Sequence, residues 1–151
     1  MLLLTIIDRL LAEVSEEDLR GKQADRLALT SEQRRWTRGR FVTFVGRDVA
    51  FALPTGTQLE PGQTIWIESD WYLTIEAAPE PLLEIRARDQ REAIRIAFDV
   101  GNRHFPLAYD ADRLLVPDDP AMIQLLDRIG APWKKCTRAF NPIGKALRHE
   151  S

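Results

Sequence analysis

The chain has one cysteine, Cys136, and two histidines, His104 and His149, in 151 residues. A single cysteine excludes an internal disulfide framework and fits a reducing compartment. Two histidines are too few for an all-histidine metal site built from one copy. Long apolar runs are also absent. Met1 to Ile7 is apolar, but it lacks a basic leader, is cut short by Asp8 and meets no small-residue cleavage site. It reads as a first strand rather than a signal peptide, and nothing approaches a membrane span. Net charge is only −2, so no global field gathers nucleic acid or an anionic membrane. No phosphate loop appears, and no Ser or Cys sits in a nucleophile motif, which counts against an enzyme. The expectation is a cytoplasmic, non-enzymatic protein without a nucleic-acid or membrane partner.

The fold expected is α+β, with an N-terminal all-β domain over residues 1–76, a second domain over 77–141 and a mobile tail over 142–151. Leu2 to Ile7 predicts a short buried strand, and residues 8–27 a loop or short helix. Thr30 and Gln33 have capping-box spacing before only a few residues of possible helix. Trp36 to Phe44 alternates loosely, then Val45-Gly46-Arg47-Asp48 predicts the turn of a hairpin with Val49 to Leu53. Two more turn signals, Pro54-Thr55-Gly56-Thr57 and Glu60-Pro61-Gly62-Gln63, precede strands at Thr64–Glu68 and Trp71–Glu76.

Ala77 to Pro81 reads as a linker, followed by a strand at Leu82–Arg88. Asp89 is a good N-cap for a helix from Gln90 to Val100, with Ala93, Ile94, Ala97 and Phe98 as its apolar face and Gly101 as its left-handed stop. Strands at Phe105–Tyr109 and Arg113–Val116 flank the turn Asp110-Ala111-Asp112. A second helix begins after Pro117-Asp118-Asp119-Pro120, carries Met122, Ile123, Leu125, Leu126 and Ile129, and ends at Gly130. A last strand covers Trp133–Phe140. The order β-α-β-β-α-β is ferredoxin-like.

The helix end Ala97-Phe98-Asp99-Val100-Gly101-Asn102-Arg103-His104-Phe105-Pro106-Leu107 places a histidine where helix gives way to strand. A helix C-terminus carries partial negative charge and favours a nearby cation. Taken alone, His104 there is a structural residue. The stretch resembles the hallmark of urease accessory proteins of the UreE type, which are nickel metallochaperones. Phe51-Ala52-Leu53-Pro54-Thr55-Gly56-Thr57 is similar to the same family's apolar-Leu-Pro-x-Gly-Thr segment. Leu29 to Arg35, Ala77 to Glu80 and Phe140-Asn141-Pro142 follow in matching order.

The resemblance implies an N-terminal domain that binds protein segments and a C-terminal domain that dimerises and binds nickel. It also implies delivery of Ni(II) to apo-urease through a partner GTPase and the urease apoprotein complex. Three departures stand out. Asp99 occupies a position that is often histidine in the family, residues 114–120 carry none of the further histidines, and the tail offers only His149. Under the resemblance, His104 and His149 are the metal residues. A two-fold dimer doubles the count by bringing two copies of His104 to its axis, at a site that would also accept Zn(II) or Cu(II).

Two lesser features remain. Cys136 lies among Lys134, Lys135, Thr137 and Arg138, of which the three cations would lower a thiol pKa, but a lone cysteine is more often structural. Arg34, Arg35, Arg38 and Arg40 surround Trp36, a pattern seen in nucleic-acid binding but more often one solvated face. The competing function is an RNA- or protein-binding adaptor module without metal.

Overall fold

The computed structural model describes residues 3–143. Contacts divide the chain into two units, Met1–Ala78 and Pro79–Ser151.

The first unit carries β1 (Leu4–Ile7), a single helical turn α1 (Glu16–Leu19), β2 (Gln23–Leu29), β3 (Arg38–Val42), β4 (Asp48–Ala52), β5 (Thr64–Ile67) and β6 (Trp71–Ala77). They form two three-stranded sheets, ordered β1-β4-β3 and β2-β6-β5. The expected hairpin is β3–β4, antiparallel from Arg38 opposite Ala52 to Val42 opposite Asp48. Its loop closes through Thr43 N–H to the Arg47 carbonyl at 2.8 Å. The turn at Glu60 closes through Gln63 N–H to the Glu60 carbonyl, with Gly62 at φ 90°. A type II turn needs that positive φ at its third residue. Ile7, Leu29, Val49, Ile65, Leu73 and Ile75 are fully buried at the centre of the unit.

Two expectations for this unit change. Residues 8–27 hold the start of β2, whose buried positions are Asp25, Leu27 and Leu29. An aspartate in the inward row broke the apolar alternation, so the strand was not legible. β1 is not a buried strand: only Ile7 is covered, while Leu4 is 42% and Ile6 54% exposed. The Thr30–Gln33 pair does form a reciprocal cap. Gln33 N–H donates to Thr30 Oγ1 and Thr30 N–H to Gln33 Oε1, ahead of one 3-10 turn at Gln33–Arg35.

The second unit carries β7 (Pro79–Ile85), α2 (Gln90–Asn102), β8 (Ala108–Asp110), β9 (Arg113–Pro117), α3 (Pro120–Arg128) and β10 (Trp133–Ala139). The sheet order β10-β7-β9-β8 is antiparallel throughout, as the ferredoxin-like reading requires. Pro79 and Pro81, read as linker, belong to β7. They pair only with β10, because β9 joins at Leu82. Proline's missing N–H is tolerated where a strand has one neighbour.

Asp89 caps α2 by accepting from Glu92 N–H at 2.8 Å, a bond worth about 1 kcal/mol. The helix buries Ile96 and Val100, with Ala93 and Ala97 partly covered. Ile94 and Phe98, read as part of the inward face, are 63% and 69% exposed. At 100° per residue the core claims the stripe through Ile96 and Val100, which leaves Ile94 and Phe98 on the far side. The helix also runs on to Asn102, so Gly101 lies in its last turn rather than stopping it.

Candidate functional site

α2 ends in a Schellman cap. His104 N–H donates to the Gly101 carbonyl at 2.9 Å and Phe105 N–H to the Val100 carbonyl at 3.3 Å. Phe105 packs with Val100 in the domain core. The residue between cap and core must take a left-handed conformation, and that residue is His104, at φ 63°. α3 ends the same way: Gly130 N–H donates to the Asp127 carbonyl and Ala131 N–H to the Leu126 carbonyl, with Gly130 at φ 73°. One helix therefore uses glycine at this position and the other uses an imidazole.

His104 is exposed. It sits beside the carbonyl end of α2, where helix polarity favours a cation. One turn back, Asp99 is half-buried and lies 3.8 Å from Arg95 Nε. The outward stripe of α2, Ile94 and Phe98, leads toward the same end, and a Cβ built on Gly101 would meet nothing within 4 Å. The cap thus presents an imidazole beside an uncovered apolar helix face.

His149 lies outside the described residues. The chain leading to it is placed as far as Ile143. Phe140 is buried against Leu82, Ala108 and Leu115 on the sheet face away from the helices. Ile143 N–H then donates to the Leu107 carbonyl at 2.8 Å. Leu107 is three residues beyond His104. No group of three or more His, Cys, Asp or Glu side chains among the described residues could hold a metal.

Two polar clusters escaped the sequence reading because they join residues far apart in the chain. Asp25, buried, accepts from Thr43 Oγ1 at 2.6 Å, Arg47 Nη1 at 2.8 Å, Val45 N–H at 3.1 Å and Arg26 N–H at 2.8 Å. Burial raises its pKa, but the hydrogen bonds from Thr43, Arg47, Val45 and Arg26 together outweigh it, and its carboxyl titrates below the ordinary value. Glu84, buried in the second unit, faces Arg113 at 3.3 Å, Arg86 at 3.5 Å and Arg138 at 3.7 Å, and Arg138 also binds Asp110. Both clusters organise structure around a buried carboxylate.

Cys136 is half-buried on the same sheet face. Burial, and after it the charge of Glu84, pushes its thiol up, against the lowering pull of Arg138, Arg113 and Lys134. The cationic neighbours therefore do not activate it, in keeping with a structural cysteine. The sheet face on which an RNA-binding ferredoxin-like domain displays stacking aromatics here carries Phe140 and the Glu84 ion cluster.

No helix among the described residues is long and apolar enough to cross a membrane. Residues 7–78 match the family described as UreE urease accessory protein, N-terminal domain, and residues 80–151 match its C-terminal domain. A urease accessory protein UreE from Paraburkholderia xenovorans is 36% identical over 121 residues, 80% of this chain and 54% of the relative. Proteins of the same name from Nitrosococcus oceani and a Chelativorans strain are 34% and 33% identical, over 77% and 70% of this chain and 70% and 67% of their own lengths. The chain spans about half the length of the first of these relatives and about two thirds of the other two. With both halves matched in order, the chain belongs to the UreE urease accessory protein family, a family of accessory proteins rather than enzymes.

Proposed function

We propose that this protein is a nickel metallochaperone that carries Ni(II) on a site shared by two copies and delivers it to apo-urease. The observation that carries the reading is His104 in the left-handed cap position of α2, exposed and beside the helix's negative end. A left-handed non-glycine residue costs of order 1 kcal/mol. The equivalent cap of α3 avoids that cost with Gly130. At that position the imidazole stands clear of the domain core, where an ion can reach it.

One histidine is not a site. A two-fold dimer that buries Ile94 and Phe98 against their own copies brings two His104 side chains to one axis. His149 supplies the remaining ligand. The Ile143–Leu107 bond ties the chain down three residues from His104, and six further residues span at most about 20 Å. Water fills open positions. An exposed site with few protein ligands releases its ion readily, which suits a carrier, and imidazole also accepts Zn(II) and Cu(II). The partners of this role are the urease accessory GTPase and the urease apoprotein complex, and the place of work is the cytoplasm.

Titration calorimetry of the full chain with Ni(II) tests the proposal. The wild type binds, and His104→Ala loses that binding while keeping its fold. Equal affinity in the two proteins would put the site elsewhere.

A further inference from the structure

The metal role makes no use of the outer edge of the second unit's sheet. β10 forms that edge and has seven residues, whereas β8 at the opposite edge has three. The one strand paired with β10 is β7. In an antiparallel pair, alternate residues turn their N–H and C=O groups away from the partner strand. Among the described residues, no backbone hydrogen bond takes up those outward groups over Trp133–Ala139.

The side chains along this edge carry one sign of charge. Lys134, Lys135 and Arg138 lie on β10, and no acid does. Lys134 and Lys135 are 71% and 65% exposed, and the acids they face, Glu84 and Asp118, stand at 3.9 Å and 3.8 Å. Those separations are too long for a direct hydrogen bond. Successive residues of a strand point to opposite faces, so one lysine flanks each side of the edge.

The same sheet shows which sequence pairs with β10. On its inner side, β7 sets Glu84 opposite Lys134, Leu82 opposite Cys136 and Glu80 opposite Arg138. Acid, apolar, acid at every second position answers cation, thiol, cation. A second copy of β10 does not fit this edge. Antiparallel self-pairing centred on Cys136 sets Lys134 against Arg138 on one face, and like charges directly opposite are destabilising.

We infer that the free edge of β10 takes up an extended acidic segment of a partner protein as an added strand. Its acid side chains lie beside Lys134 and Lys135, and an apolar one lies beside Cys136. Main-chain hydrogen bonds hold such a strand, and side chains at alternate positions select it. Charge speeds the encounter and turns away basic segments. A nucleic acid or a lipid headgroup has no ladder of N–H and C=O groups to match the edge.

The test uses the full chain and a fluorescein-labelled peptide of about ten residues, the upper length of a common strand. It has Glu-Thr-Leu-Val-Glu at its centre. One control peptide has lysine for each glutamate. Another keeps the glutamates but has its central backbone nitrogens methylated, which removes the donors and leaves the charge. Fluorescence anisotropy is expected to show binding of the glutamate peptide that weakens as salt rises, and little binding of either control. Lys134→Glu/Lys135→Glu should weaken binding of the glutamate peptide about tenfold or more and gain binding of the lysine peptide. Lys134→Gln/Lys135→Gln, a milder change, should weaken it less. Both lysines are exposed, and circular dichroism checks that each variant is folded. Equal binding of the glutamate and lysine peptides overturns the inference, as does no binding of the glutamate peptide at all. So does binding that neither variant changes. Undiminished binding of the methylated peptide would reduce the edge to a charged patch and overturn it, as would oligo-dT or phosphatidylserine vesicles bound through the two lysines in place of the peptide. Nickel titration of the lysine variants should match the wild type, so failure here leaves the metal proposal standing and the converse also holds.

Discussion

His104 and Gly130 occupy the same position of the same helix cap, one at φ 63° and the other at φ 73°. Each donates its N–H to the carbonyl three residues before it, and each is followed by a residue that returns to the core. A single domain thus contains its own control. The backbone asks for glycine in both places, and in one the chain holds an imidazole.

Replacing His104 by glycine should therefore separate stability from function. His104→Gly relieves the left-handed residue and should stabilise the fold by about 1 kcal/mol, while removing the nickel ligand. Thermal unfolding without metal should show a higher midpoint than the wild type. A lower midpoint would show that the imidazole stabilises the native chain through contacts of its own.

The exposed pair Ile94 and Phe98 predicts the dimer. Ile94→Asp with Phe98→Asp should give a monomer, because burying two unpaired carboxylates at a two-fold seam is costly. The fold should survive, since neither side chain is in the core. Sedimentation of wild type and variant at tens of micromolar checks this. A wild type that is monomeric with nickel present would sink the shared site.

Nickel binding should weaken as pH falls, because a protonated imidazole cannot ligate and protons compete with the metal. Removing residues 146–151, and with them His149, should weaken binding further without breaking the dimer. Identical affinity and stoichiometry in the truncated chain would leave two His104 copies and water as the whole site.

Asp25 predicts an acid-sensitive first unit. Its carboxyl holds Thr43, Val45 and Arg47 in one loop. Asp25→Ala leaves those donors unpaired and should cost about 3 kcal/mol at neutral pH. A group whose folded pKa is depressed stabilises the fold above its unfolded value and loses that contribution as pH falls through the folded one. The gap between wild type and Asp25→Ala should be full above pH 5 and shrink below the ordinary aspartate value near 3.8. Urea unfolding at a series of pH values measures it, and a gap independent of pH would assign the effect to packing.

The sequence by itself determined whatever is set by neighbours in the chain. Asp89 and Asp119 cap their helices because an aspartate just before a helix can reach the N–H groups of its first turn. The turn at Gly62 and the stop at Gly130 follow from local dihedral demands. The ferredoxin-like order followed from the alternation of such segments. The tertiary structure decided what depends on residues far apart. β2 is a strand because Asp25 is satisfied by a loop some twenty residues later, a partner no local window contains. The core takes Ile96 and Val100 and leaves Ile94 and Phe98 outside, and which of two apolar stripes turns inward is fixed only when the sheet packs against the helix. The left-handed turn at His104, rather than at Gly101, has the same origin. Phe105 must return to the core, and that pull places the cap three residues later than glycine's own preference would.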